Sequence, residues 1–187
     1  MPALAAWRIT SARYASRAFD GEGARLYGGR WNHPGTVVVY CSAALSLAPL
    51  EFFIHLEPGL APEGLVAIQA EIPEGVEVEF LDVSSLPRDW RTYPAPESLK
   101  DLGTAWARSG RTAILSVPSS VIPHERNILF NPAHRDFAEV RGDGGESCGW
   151  LVTAPSRPPP SPRAPSSWSA QPPATAGSPA PPGAELH

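Results

Sequence analysis

The stretch "LYGGRWNHPGTVVVYCSAALSLAPLEFFIHL", residues 26–56, reads as a loop, a buried strand and a helix in immediate succession. The glycines of "DGEGARLYGGRWN" mark a loop whose backbone can approach another group closely. "TVVVYCS" is dense in β-branched residues and is bounded by Gly35 and Ser42, as expected of a strand buried on both faces. In "SAALSLAPLEFFIHLE" the residues Leu47, Leu50 and Ile54, with Phe53 on the adjoining edge, fall at helical spacing. Ser42 or Ser46 is the expected cap, and Pro49 is best tolerated in the first turn of a helix that begins near Ser46. Three polar side chains punctuate these elements: Arg30 in the loop, Tyr40 at the strand end and Glu51 in the helix.

Outward from this stretch, "AAWRITSARYASRAF" opens with an expected strand over residues 6–10 that puts Trp7 and Ile9 on one face, followed by a loop. "GLVAIQAEIP" and "VEVEFLDV" alternate as half-exposed strands do, and are expected to pair across the turn at Pro73 to Gly75. "PAPESLKDLGTAWARSG" predicts a helix from about Glu97 to Ser109, with Leu99, Leu102 and Trp106 on one stripe and Gly110 as its stop. "TAILSVPS" reads as a buried strand ending at Pro118, "NILFNP" as a short strand or turn, and "FAEV" as a final strand. Strands outnumber helices without regular alternation. The expected class is α+β, a compact mixed sheet with flanking helices.

The 187 residues suffice for one domain, assigned to residues 1–140, with a tail over residues 141–187. About half of the chain's 23 prolines fall in that tail, whose Pro, Ser, Ala and Gly cannot bury enough apolar surface to offset ordering entropy. The net charge of −4, without a basic run, argues against a nucleic-acid partner. The two cysteines, Cys41 and Cys148, have neither metal-ligand nor disulfide-framework spacing, which fits a reducing cytosol. No signal-peptide core and no apolar window of about 18 residues occurs, so a cytoplasmic protein is expected.

Taken singly, most polar candidates have ordinary explanations. Arg30 after Gly-Gly fits a surface cation or a structural partner for a carboxylate, and Tyr40 a core-edge residue with its hydroxyl in water. Ser119, Ser120, Asn127 and Asn131 fit turn hydrogen bonding. Glu51 stands apart, because an unpaired carboxylate among Leu50, Phe52, Phe53 and Ile54 is costly. It either faces outward, pairs with His55 one helical turn on, or has a chemical purpose. No phosphate-binding Gly-Lys-Ser/Thr loop, dinucleotide G-x-G-x-x-G, G-x-S-x-G elbow or metal-ligand cluster is present.

The order of the segments "GGRWN", "VVVYCS", "LEFFIHL", "LSVPSSVIPHERNILFNPAH" and a final "DF" resembles the RES domain, named for an arginine, a glutamate and a serine. The resemblance runs over about residues 6–140. It implies a toxin of a bacterial type II toxin-antitoxin pair, with a fold similar to ADP-ribosyltransferase toxins and with NAD as substrate. By matching motif, the family arginine falls on Arg30, its tyrosine on Tyr40, its glutamate on Glu51 and its serine on Ser119, with Ser120 as the ambiguous neighbour. Asn127 and Asn131 match recurring asparagines of the C-terminal motif.

Under this resemblance, Glu51 stabilises the positive charge that develops on ribose when the nicotinamide bond breaks. Arg30 holds the pyrophosphate through charge-assisted hydrogen bonds. Tyr40 lies against the nicotinamide ring, while Ser119 or the asparagines bond ribose or carboxamide. The implied activity is NAD degradation by hydrolysis or phosphorolysis, causing growth arrest, with no metal and no cofactor besides NAD as substrate. The alternatives are ADP-ribosyl transfer to a host protein and an inactive module that only binds antitoxin. The implied partner is an Xre-type helix-turn-helix antitoxin encoded beside the toxin. The family ordinarily continues past "NPAHRDFAEV" with a further strand and a short basic close. The tail here is expected to be either a natural disordered extension or an out-of-frame reading of a GC-rich gene, which resequencing decides.

Overall fold

The computed structural model describes residues 4–54, 64–142 and 150–151. The strands are β1 (Leu4–Ser11), β2 (Val39–Ser42), β3 (Leu65–Ile72), β4 (Val78–Phe80), β5 (Ile114–Pro118), β6 (Arg126–Phe130), β7 (Arg141–Gly142) and β8 (Trp150–Leu151). The helices are α1 (Glu22–Tyr27), α2 (Leu47–Phe53) and α3 (Glu97–Ser109), with short 3₁₀ segments at Ala12–Arg17, Val83–Ser85 and Arg135–Glu139. This is the expected α+β class.

One sheet runs in the order β4-β5-β6-β2-β1-β3-β7, with β8 also paired to β3. Only β4 and β5 are parallel; every other pairing is antiparallel. The two-residue side-chain period of strands builds a core on each face. Val39, Cys41, Ile114, Ile128 and Phe130 point to one side with Ala6, Ala70 and Ile72. Leu115, Val117 and Leu129 point to the other, where Leu99 and Trp106 of α3 and Trp31 of the glycine loop cover them. Ile9, Leu65 and Ala67 extend that second side beneath Ala48 of α2. All five residues of β5 are buried, which is why "ILSVP" reads as a continuous apolar run rather than an alternating one.

Several expected elements sit where the sequence puts them. α3 has the expected bounds, and Gly110 closes it in the left-handed region at φ 59°. Ser46 is the N-cap residue of α2, without a side-chain cap bond, and Pro49 lies in its first turn. Trp7 and Ile9 share a face.

Four expectations fail. "DGEGARLYGGRWN" is not loop throughout but carries helix α1 at Glu22–Tyr27. β3 and β4 do not form a hairpin: β3 pairs with β1 along its whole length, and β4 pairs with β5. Alternation identifies a strand but not its neighbour, and the eight-residue β1 ladder offers β3 more hydrogen bonds than three-residue β4 does. "FAEV" falls at a 3₁₀ turn in which His134 Nδ1 accepts the Asp136 N–H, rather than in a strand. Leu102 is 40% exposed, and Gly103 takes the place on α3 that the helical stripe assigns to it. Beyond residue 140, where the sequence reading places the domain boundary, β7 and β8 still pair with β3. The rest of the expected tail, with His55 and Cys148, lies outside the described residues. Among the described residues no helix is long and apolar enough to cross a membrane.

Candidate functional site

The loop between α1 and β2 is folded tightly on itself. Gly28 has φ 72°, and Gly29 donates its N–H to the Asn32 carbonyl at 3.0 Å, which turns the chain at Arg30 and Trp31. Asn32 is fully buried and staples the loop: Nδ2 donates to the carbonyls of Ala24 at 2.9 Å and Thr36 at 3.0 Å. Its Oδ1 accepts the Tyr40 hydroxyl at 2.7 Å, and that hydroxyl in turn accepts the Trp31 N–H at 3.0 Å. Gly29 passes so close to the Tyr40 ring that any Cβ there would collide with the hydroxyl. Burial pushes the Tyr40 phenol well above its usual range, so it stays a neutral donor.

Tyr40→Phe therefore leaves Asn32 Oδ1 and the Trp31 N–H without a partner. The expected cost is about 1–3 kcal/mol of folding stability, read as a lower midpoint in urea unfolding, and an unchanged midpoint would refute this role.

Glu51 on α2 is held from β6 and from the residue that follows β5. Its Oε1 accepts the Ser119 hydroxyl and the Asn127 amide, each at 2.6 Å. Ser119, at the end of β5, is completely buried, and its Oγ also accepts the N–H groups of Val121 and Ile122 at 3.1 and 2.9 Å. Asn127 on β6 is fixed in turn because its Oδ1 accepts the Ser42 hydroxyl at 2.9 Å, directly across the β2–β6 ladder. Glu51 Oε2 makes no hydrogen bond among the described residues. The costly carboxylate thus has its partners, and they are neutral donors rather than a cation.

Arg30 projects from the loop and donates Nη1 to the Trp90 and Thr92 carbonyls at 2.8 and 3.2 Å. Burial lowers its pKa, and the charge of Glu51 opposes that shift. Its Nε and Nη2 make no hydrogen bond among the described residues.

These groups surround a cavity of about 480 Å³, a size in the range of small-molecule sites. Arg30, Tyr40, Glu51, Ser120 and Asn127 line it, together with an apolar wall of Trp7, Ile9, Ala48 and Phe52. The structure thus brings together Arg30, Tyr40, Glu51 and Asn127. Two sequence-predicted residues are placed differently. Ser119 does not line the cavity: its hydroxyl is committed to Glu51, and of the two neighbours it is Ser120 that reaches the cavity wall. Asn131 stands apart, donating Nδ2 to the Ala107 carbonyl at 2.8 Å and accepting the Ala133 N–H, so it ties α3 to the turn after β6. Among the described residues no three His, Cys, Asp or Glu side chains converge as a metal site would need.

Asn32, Ser42 and Arg8 are the site residues that sequence reasoning missed. Asn32 and Ser42 look like turn and strand-end residues, and nothing local distinguishes them. Arg8 carried a signal: like Glu51, it is a charge inside an apolar element. Its Nη1 donates to the Tyr40 carbonyl at 2.7 Å.

The family model described as RES domain matches residues 5–151. The Prs ADP-ribosylating toxin of a Sphingobium species is 41% identical over 139 residues, covering 72% of this chain and 86% of that protein. Toxin Res of Yersinia enterocolitica is 38% identical over 131 residues, covering 70% of this chain and 86% of its own. In fold, the chain is similar to a chain of the M. tuberculosis MbcT-MbcA toxin-antitoxin complex, with a TM-score of 0.59 at 17% identity, over 75% of this chain and 81% of that one. With most of its length matched by the family model and two named toxins above 30% identity, the chain belongs to the RES domain family and is a toxin of that family.

Proposed function

We propose that this toxin breaks the bond between nicotinamide and ribose in NAD and degrades the dinucleotide. The observation that carries the reading is the Glu51 carboxylate, with Oε1 immobilised by Ser119 and Asn127 and the carboxylate itself at the wall of a cavity that also contains Arg30. The bond breaks with its electron pair leaving on nicotinamide, so a neutral base departs and positive charge grows on the ribose. A carboxylate already oriented by fixed donors stabilises that charge without reorganising. The Arg30 nitrogens not used by Trp90 and Thr92 suit the diphosphate. The wall of Trp7 and Phe52 suits a flat base better than Tyr40 does, whose hydroxyl is engaged below the glycine loop. Ser119 acts through Glu51, and Asn127 both orients Glu51 and borders the substrate space.

A second reading has one specific observation behind it: the 41% identical relative is named for ADP-ribosylating Prs. The same bond breaks, but the ribose then passes to a protein side chain instead of water or phosphate. An antitoxin of the Xre helix-turn-helix type is proposed as the partner, in keeping with the toxin-antitoxin complex that shares the fold.

Purified full-length protein incubated with NAD, with and without inorganic phosphate, separates these readings. Degradation releases nicotinamide together with ADP-ribose or its phosphorylated form and empties the pool. Transfer labels a discrete protein band from labelled NAD in lysate while the pool falls slowly. A folded protein that releases no nicotinamide with or without phosphate overturns degradation; if it also labels no band in lysate, transfer falls too, and a module that only binds antitoxin is left.

A further inference from the structure

β1 is paired with β3 at every residue from Leu4 to Ser11, yet it meets β2 at the single pair Trp7 and Ser42. The sheet is therefore split on the other side of β1, and both edges of the split, Trp7 to Thr10 and Tyr40 to Ser42, border the cavity. Backbone orientation identifies the missing bond. The Ala43 N–H donates to the Arg126 carbonyl on β6, so alternate residues turn the N–H and C=O of Tyr40 and Ser42 toward β1. Continuing the Trp7–Ser42 register would set Ile9 opposite Tyr40, with the Ile9 N–H on the Tyr40 carbonyl. That carbonyl instead accepts Arg8 Nη1 at 2.7 Å.

A guanidinium therefore occupies the place of a ladder hydrogen bond. Its Nε is sealed from solvent and has no hydrogen-bond partner among the described residues. A buried, unpartnered donor on a cation is unfavourable, and a strand pair that simply closed would avoid it. Its retention beside the cavity needs a compensating use. We infer that Arg8 is a positioning residue, a wedge that keeps β1 and β2 from zipping together. It thereby keeps open the floor of the cavity and fixes the carbonyl of Tyr40. The effect on catalysis rests on the NAD reading above; the wedge itself does not.

Arg8→Met keeps the stem and removes the donor. Amide hydrogen exchange on the full-length chain is the direct readout. In the wild type, the Ile9 and Tyr40 amides exchange readily, because they face the split. In Arg8→Met the strands close, and both amides gain protection of about tenfold or more while the rest of the sheet is unaltered. Closure also narrows the cavity, so kcat/KM for NAD loss falls by about 10²-fold, mainly through KM. A folded Arg8→Met chain with wild-type exchange at Ile9 and Tyr40 overturns the inference. If that variant does not fold, Arg8→Leu, which also lacks a donor, carries the same two expectations. A wild-type chain that consumes no NAD would refute the proposed reaction and leave the exchange result to decide the wedge.

Discussion

If the proposed reaction is right, Glu51→Gln is expected to abolish most NAD consumption while leaving the fold intact. Glutamine has the shape of glutamate, and with its amide oxygen turned to Ser119 and Asn127 it keeps both 2.6 Å contacts. What disappears is the negative charge facing the ribose. Losing a preorganised group that acts on transition-state charge costs about 10²–10³-fold in kcat. The expected pattern is a fall of that size in kcat, a KM close to wild type and a thermal midpoint within a few degrees. Growth arrest on expression should vanish in parallel. A variant that turns over NAD at the wild-type rate would remove Glu51 from the chemistry and, with it, the observation on which the proposed function stands.

Gly103→Ala carries the second large expectation, far from any reacting atom. In an exposed helix this change stabilises by about 1 kcal/mol, because alanine is the better helix former. Here a Cβ on Gly103 would overlap the Trp31 carbonyl oxygen, which is main chain and cannot rotate away. Trp31 is itself buried, and the next residue but one, His33, donates its N–H to Thr104 Oγ1 at 3.0 Å, so the loop is fastened to α3 beside the clash. Overpacking costs about 1–3 kcal/mol and outweighs the propensity gain. The loop that shifts carries both Arg30 and the Trp31 N–H bound to Tyr40. A reduced urea midpoint together with loss of NAD turnover is expected; a midpoint equal to or above the wild type would show that α3 and the loop separate freely.

The contrast between Glu51 and Asn131 shows how far a sequence goes for this site. Glu51 was legible because a charge in an apolar helix breaks the local pattern, and its partners lie 68 and 76 residues away, where only the folded sheet brings them. Asn131 sits in the same motif as Asn127, four residues on in one strand and turn. Both side chains lie on one face by parity, but four residues of extended chain separate them, so Asn127 reaches Glu51 while Asn131 reaches α3. Motif membership could not separate the two. Strand identity was mostly readable from β-branched runs and alternation, as at β5 and β2. Strand partners were not, because β1 and β4 advertise the same pattern and the choice between them depends on ladder length. The mismatch at Leu102 and Gly103 has the same origin: a helical stripe gives the direction of the core, whereas close approach of a loop backbone selects the glycine.

Burial pushes the Cys41 thiol up to about 12, which leaves it a poor nucleophile where it stands. A larger consequence follows from where the holders of Glu51 lie along the chain. During synthesis Glu51 leaves the ribosome 76 residues ahead of Asn127, a lag of roughly 4–15 s at bacterial translation speeds. Until that interval has passed, the carboxylate has neither Ser119 nor Asn127 to fix it, and β2 lacks the β6 edge on which it is built. On the proposed reading, the nascent chain is therefore expected to be inactive until the strand that carries Asn127 has emerged and can pair with β2.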